Sequence, residues 1–306
     1  MDAVENGGHE KRGAAAAAED MPAERREAVE SQTRPNALII HETIRLEGED
    51  ELARSVTALL LSGFAAGLTM GFSLVVEGLL HAHLPDAPWR ELVSSWGYTI
   101  GFLIVVLGRQ QLFTENTLTP VLPLLHNRNL ATLRQVLRLW TIVLAANIAG
   151  TFVFACAIAR TDLFGVEIKE AFAEISRPVI GFPFWTTLLK GVFAAWLIAL
   201  MAWLMPAAEA ARPFVIMIVT YVVALGGFAH VVAGSIDAAY LLQIGEAGWT
   251  DYLIRFFVPT LIGNVLGGVT LVAMLNYGQV AREIEAGARK KGGPIGSPIL
   301  LAGSGR

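Results

Sequence analysis

Charge is scarce in this chain and cysteine is nearly absent. Of 306 residues only 16% are Asp, Glu, Lys or Arg, against 54% hydrophobic. That is too little polar surface to coat a soluble protein of this length. A mean hydropathy of +0.53 points the same way, and makes lipid the solvent. The single cysteine, Cys156, lies in an apolar run, which rules out an intrachain disulfide. The formal net charge of −4 sits mostly in tails and loops and gives no sign of nucleic-acid binding. No cofactor and no metal site is expected. The first 50 residues lack a continuous apolar stretch, so no secretory signal peptide is expected there.

What is abundant is long apolar sequence. A helix needs roughly 20 apolar residues to cross a hydrocarbon core ~30 Å thick. Six runs meet that length: about Leu52 to Leu80, Leu92 to Leu125, Leu133 to Ala159, Phe182 to Met205, Phe214 to Leu242 and Leu253 to Tyr277. The fold class expected is an all-α membrane protein of six transmembrane helices. Its channel domain would span residues 51–280, between a charged, solvated tail at 1–50 and a Gly/Pro/Ser-punctuated tail at 281–306. Leu38-Ile39-Ile40 and the charged stretch to Arg54 suit either a juxtamembrane amphipathic helix or a plain linker. Basic residues in both tails and in the connection holding Arg128, Arg134 and Arg138 predict cytoplasmic termini, with Arg160, Lys169 and Arg177 as the contrary vote.

One pattern occurs twice: Ala146-Asn147-Ile148-Ala149-Gly150 and Gly263-Asn264-Val265-Leu266-Gly267. At nearly the same interval upstream of each, polar or small residues interrupt an apolar run. The first interruption is Gly108-Arg109-Gln110-Gln111 followed by Leu112-Phe113-Thr114-Glu115-Asn116. The second is Gly226-Gly227-Phe228-Ala229-His230. Broken helices in matching positions are expected of transport proteins, and freed backbone must face a cavity or protein, never lipid. Three spans per unit is an odd number, so the spacing predicts an inverted 3+3 repeat with helices 2 and 5 broken.

An ionisable side chain at membrane depth costs at least ~2.5 kcal/mol and needs a partner or a function. The candidates are Glu77, Arg109, Glu115, Lys190, His230 and Asp237. For Arg109 and Glu115 an ion pair bracing the first break is the plain alternative to a pore charge. Lys190 can snorkel, pair with an acid or attract an anion. His230 stands among Gly and Ala rather than bulky packing residues, and imidazole titrates in the physiological range, which favours a pore role. Thr114 offers a hydroxyl, and Leu112 and Phe113 beside it suit an apolar constriction. Asn147, Gly150, Asn264 and Gly267 read as the structural repeat. Ser235, His230 and Asp237 form the only tempting hydrolytic trio, but no Gly-x-Ser-x-Gly elbow exists and catalysis is not expected.

Leu112-Phe113-Thr114, Phe228-Ala229-His230, Asn147-Ile148-Ala149-Gly150 and Pro259 through Gly268 together resemble the formate/nitrite transporter family over about residues 52–278. The resemblance implies an aquaporin-like protomer assembled as a homopentamer in the lipid bilayer, each with its own pore for a small monovalent anion or its weak acid. It maps Leu112, Phe113 and Thr114 onto the constriction and His230 onto the pore histidine. Two features depart from the family pattern. The usual fourth-helix lysine would fall near Val179, with Lys190 about three turns further on. The family asparagine of the same helix would fall near Ala195. These departures resemble an inner-membrane branch of the family. A neutral-solute pore of aquaporin type is the alternative they favour.

Overall fold

The structure, a computed structural model, describes residues 37–274 and 278. The expectations for residues 1–36, 275–277 and 279–306, including most of the tail charges and the end of the sixth expected span at Tyr277, lie outside the described residues. Among those residues every regular element is helical and there is no strand.

In chain order the helices are α1 (Ala37–Ala53), α2 (Val56–His83), α3 (Arg90–Ser94), α4 (Thr99–Leu107), α5 (Val121–Asn127), α6 (Leu130–Arg160), α7 (Val166–Ser176), α8 (Phe184–Ala208), α9 (Arg212–Leu225), α10 (Ala233–Ile244) and α11 (Val258–Leu266). Wider-wound π-helical segments, Asp251–Phe257 and Gly267–Met274, flank α11. Local chemistry sets several ends. Ser55 accepts a hydrogen bond from Ala58 N at 3.2 Å to start α2. Asn129 does the same for α6, accepting from Thr132 N at 2.8 Å. Each satisfies one orphan N–H of a first turn, worth about 1 kcal/mol.

The helices bury several apolar clusters, of which the most extensive includes Leu59, Met70, Phe102, Leu139, Ile198 and Ile216. Their outer faces expose Leu61, Phe72, Leu189, Phe214 and Ile218. In water such a surface would drive aggregation; in lipid it carries no penalty. Trp89, Trp96, Trp185 and Trp249 are exposed as well. Two helix pairs approach backbone to backbone. α2 meets α6 where a Cβ on Gly150 would strike the Phe64 carbonyl, and α8 meets the end of α11 where a Cβ on Gly267 would strike the Val192 carbonyl. Both glycines of the repeated pattern are therefore contact points between backbones.

The expectation of six spans is corrected to five. Val56–His83, Arg90–Leu107, Leu130–Arg160, Phe184–Leu225 and Asp251–Thr270 are the helical segments long and apolar enough to cross a membrane among the described residues. The inference of an inverted 3+3 repeat falls with the count, since it rested on three whole spans in each half. Hydropathy does not register where backbone stops being helical. The run expected as the fifth span, Phe214 to Leu242, breaks after Leu225. Its first part, α9, joins α8 through the turn Glu209–Ala211 into a single run of 42 residues that bends at Glu209, φ 40°. Its second part, α10, has 12 residues, about 18 Å of helix, well short of the ~30 Å core. The expected second span is divided in the same way, between α4 and α5.

Candidate permeation site

Both breaks are built from the same backbone device. At the end of α4, Arg109 N donates to Val106 O at 3.1 Å and Gln110 N to Val105 O at 3.0 Å. At the end of α9, Gly227 N donates to Ala224 O at 2.8 Å and Phe228 N to Val223 O at 3.0 Å. This paired closure ends a helix through one residue in the left-handed region, Arg109 at φ 50° and Gly227 at φ 54°. Glycine adopts that conformation freely, whereas a residue with a Cβ pays about 1–2 kcal/mol. Arg109 therefore sits where backbone, not side chain, decides. Its guanidinium is 76% exposed and pairs with Glu47 of α1 at 3.1 Å, rather than with Glu115. Exposed pairs of this kind contribute about 0–1 kcal/mol. Arg109→Gly is expected to leave solute flux unchanged and thermal stability equal or higher; a large loss of flux would place the charge in the pathway.

After each break the chain runs non-helically for several residues, and one asparagine holds each stretch. Asn147 of α6 accepts from Phe113 N at 2.9 Å and donates to Gln111 O at 2.8 Å and Gly63 O at 2.7 Å. Asn264 of α11 accepts from Val231 N at 2.8 Å and donates to Ala229 O and Gly191 O, both at 2.9 Å. In each case two of the three partners belong to the broken segment and the third to a neighbouring long helix. Both amides are fully buried. Each satisfies backbone groups that lipid cannot.

The two held segments meet at Thr114 and His230, whose Oγ1 and Nε2 are 2.7 Å apart. Ala233 N donates to His230 Nδ1 at 3.1 Å, so Nδ1 is the acceptor nitrogen. The neutral ring then carries its proton on Nε2 and donates it to Thr114, which leaves the threonine hydroxyl's own hydrogen free among the described residues. Phe102 of α4 packs edge-on against the imidazole, ring centroids 5.0 Å apart. Leu112, Phe113, Thr114 and His230 are all buried.

A cavity of about 500 Å³ opens on His230 from one side. Lys190 of α8 lines it, with Nζ 3.0 Å from Gly227 O, 3.4 Å from Gly226 O and 4.4 Å from the centre of the Phe182 ring. The ammonium is held by carbonyls and an aromatic face, and among the described residues no carboxylate pairs with it. Val179, where the family lysine would fall, lines the same cavity. Ala195 is buried. Glu77 and Asp237 also line the cavity. Glu115 lies beyond the constriction residues in sequence. It is close enough to Glu47 and Glu51 to feel their charge, and has no ion-pair partner among the described residues. Glu51 of α1 accepts from Gln111 Nε2, and burial pushes its carboxyl above the usual range against the pull of Arg54 and Gln111.

The hydrolytic trio does not assemble. Ser235 Oγ donates to Val231 O at 2.6 Å and lies 3.2 Å from Tyr252 OH, while both nitrogens of His230 are engaged elsewhere. A serine without a base has no activated nucleophile.

The sequence model of the formate/nitrite transporter family matches residues 39–278. The chain belongs to that family. It is 40% identical over 259 residues to the inner membrane protein YfdC of Escherichia coli (strain K12), covering 83% of this chain and 84% of YfdC. It is 30% identical over 251 residues to the formate channel BtFdhC of Bacillus thuringiensis, covering 78% of this chain and 93% of the relative. Among solved structures it resembles a pentameric formate channel with formate bound, with TM-score 0.63, 18% identity, and coverage of 74% of this chain and 98% of that one. It also resembles an ion channel of the family, with TM-score 0.64, 18% identity, and coverage of 79% and 96%. As a family member the chain is a channel rather than an enzyme.

Among the residues of this family member's cavity that sequence reasoning missed, three are Glu, Asp or His side chains. Glu91 comes from α3, His81 from the end of α2 and Glu174 from α7. Each lies in or beside a connection too short to count as a span. The signal available was amphipathic spacing in Val166–Ser176, where Ala171, Phe172, Ala173 and Ser176 are buried.

Proposed function

We propose that this protein conducts a small monovalent anion of a weak acid, of the formate or nitrite type, and that the solute crosses the constriction near neutrality. The observation that carries this reading is the junction of the two broken segments: buried Leu112 and Phe113 beside the Thr114–His230 hydrogen bond. A bare charge entering so apolar a passage would lose its hydration with little in return, while a neutral acid loses far less. The Thr114 hydroxyl hydrogen is available to a carbonyl or nitroso oxygen passing the ring. Lys190 supplies the attraction. It places a positive charge without a carboxylate partner in a low-dielectric cavity, where such charges concentrate counter-ions. Likeness to YfdC and to a pentameric formate channel supports placing the protein in an inner membrane as a homopentamer with one pathway per protomer.

The test is purified full-length protein in liposomes, with formate, nitrite and glycerol followed by stopped-flow at an acidic and a neutral pH. Formate or nitrite flux well above empty vesicles is expected. Flux of glycerol alone would replace this reading with a neutral-solute pore. Lys190→Ala is expected to lower anion flux by about tenfold, the low end of electrostatic focusing, and to leave any glycerol flux unchanged. An equal fall in both would make Lys190 a brace for the end of α9.

A further inference from the structure

The hydrogen bonds of His230 leave one proton without a source. Nδ1 already accepts from Ala233 N, and the Nε2 proton is given to Thr114. The ring has no free lone pair with which to collect a proton from water, and donating Nε2–H outright would require Nδ1 to give up the backbone contact that positions it. An anion that crosses as its neutral acid must be protonated elsewhere.

The cavity in front of His230 holds the groups for this. Glu77, from α2, and Asp237, from α10, both line it and are close enough for their charges to repel. Glu77 has no hydrogen bond or ion pair among the described residues. The fully buried Ser176 hydroxyl has no hydrogen-bond partner among the described residues. Two carboxyls that repel in a low-dielectric cavity relieve the cost by holding one proton between them. We propose that Glu77 and Asp237 form a shared-proton carboxyl pair that protonates the incoming weak-acid anion on the Lys190 side, before it meets the constriction. This rests on the weak-acid reading given above.

The charges around the pair fit the role. Lys190 is the one lysine or arginine lining the cavity among the described residues. The surrounding cations are committed elsewhere: Arg90 to Asp86 and His81, Arg160 to Gln243, Arg255 to Asp251. Arg177 is bound by Glu170 and Glu246, whose carboxyl it holds below the usual range. Of the phenols, Tyr240 donates to Lys169 O and Tyr252 is paired with Ser235, while Tyr98 lines the cavity. Glu91, Glu174 and His81 also line it, His81 lying 3.0 Å from Glu174. They supply exchangeable groups for refilling the pair from water. The step balances simply. The anion arrives beside Lys190 and takes the shared proton through a new O–H bond. The neutral acid moves past Thr114 and His230, and the doubly ionised pair regains one proton from the aqueous mouth.

Formate influx into liposomes holding the full-length protein, measured from about pH 5 to about pH 8, separates the alternatives, because bulk neutral acid falls about tenfold per pH unit. With the pair intact, flux should fall much less steeply than that. In Glu77→Gln with Asp237→Asn it should follow the bulk acid, with at least a tenfold deficit at neutral pH that closes toward acidic pH. Each single amide variant is expected to show the same steepening in part, and Glu77→Asp to restore the shallow profile, so a failure of the double variant to fold leaves the test intact. Wild-type profiles in both single variants would overturn the pair alone. Absence of formate flux in the unmodified protein, with glycerol flux present, would overturn the weak-acid reading and the pair with it.

Discussion

Leucine in place of Asn147 or Asn264 is expected to remove the folded channel from the membrane. Each amide satisfies three backbone groups that have no water within reach. Leaving a buried donor or acceptor unpaired costs about 1–3 kcal/mol each, so three together, about 3–9 kcal/mol, reach into the roughly 5–15 kcal/mol by which a protein is stable. Leucine matches asparagine in branching but is bulkier, so overpacking at these fully buried positions adds to this loss. Aspartate is expected to do almost as badly, because it keeps the acceptor while losing both donors and adding a charge. The measurement is the yield of detergent-stable protein by fluorescence-detected size exclusion. A leucine variant at wild-type yield would mean that the broken segments find other partners and that the repeated asparagine is not their frame.

The second large effect is expected at the junction itself. His230→Phe and Thr114→Val each remove one half of a buried 2.7 Å hydrogen bond and strand the other half. Phenylalanine can keep the edge contact with Phe102, and valine keeps the threonine's shape, so packing is largely preserved. Formate flux is expected to fall at least tenfold in either variant, equivalent to ~1.4 kcal/mol on the barrier. The double variant should fall by less than the product of the two singles, since neither side chain then strands the other, and the Ala233 N–H that loses its acceptor is a cost already counted in His230→Phe. Independent, multiplying losses would show that the two side chains act separately. Wild-type flux in both singles would reduce the pair to core packing.

The particular residues show why some of this was legible in the sequence. Thr114 and His230 lie in two interruptions of apolar runs, each followed at a similar interval by Asn-x-x-Gly, and hydrogen bonding in lipid makes such interruptions expensive enough to stand out. The partners of those asparagines were not legible. Gly63 and Gly191 are far from the breaks in sequence, and which carbonyl an amide meets depends on how α2 packs on α6 and α8 on α11. Arg109 was read beside Glu115 because they are near neighbours in sequence, yet a left-handed backbone turns it to Glu47 of α1. The count of spans erred for a related reason, since hydropathy is continuous through Gly226 and helical backbone is not.

Sequence alone determined that the chain lives in lipid, that two apolar runs are interrupted at corresponding places, and that its motifs resemble the formate/nitrite transporters. These follow from composition and local order, because the cost of burying charge or of freeing backbone in a membrane is levied on individual residues. Tertiary structure decided how many helices can span, which nitrogen of His230 carries the proton, and that Lys190 shares one cavity with Glu77 and Asp237. Those depend on helices distant in sequence meeting at a few ångströms, where a hydrogen-bond direction or a pairing of charges first exists.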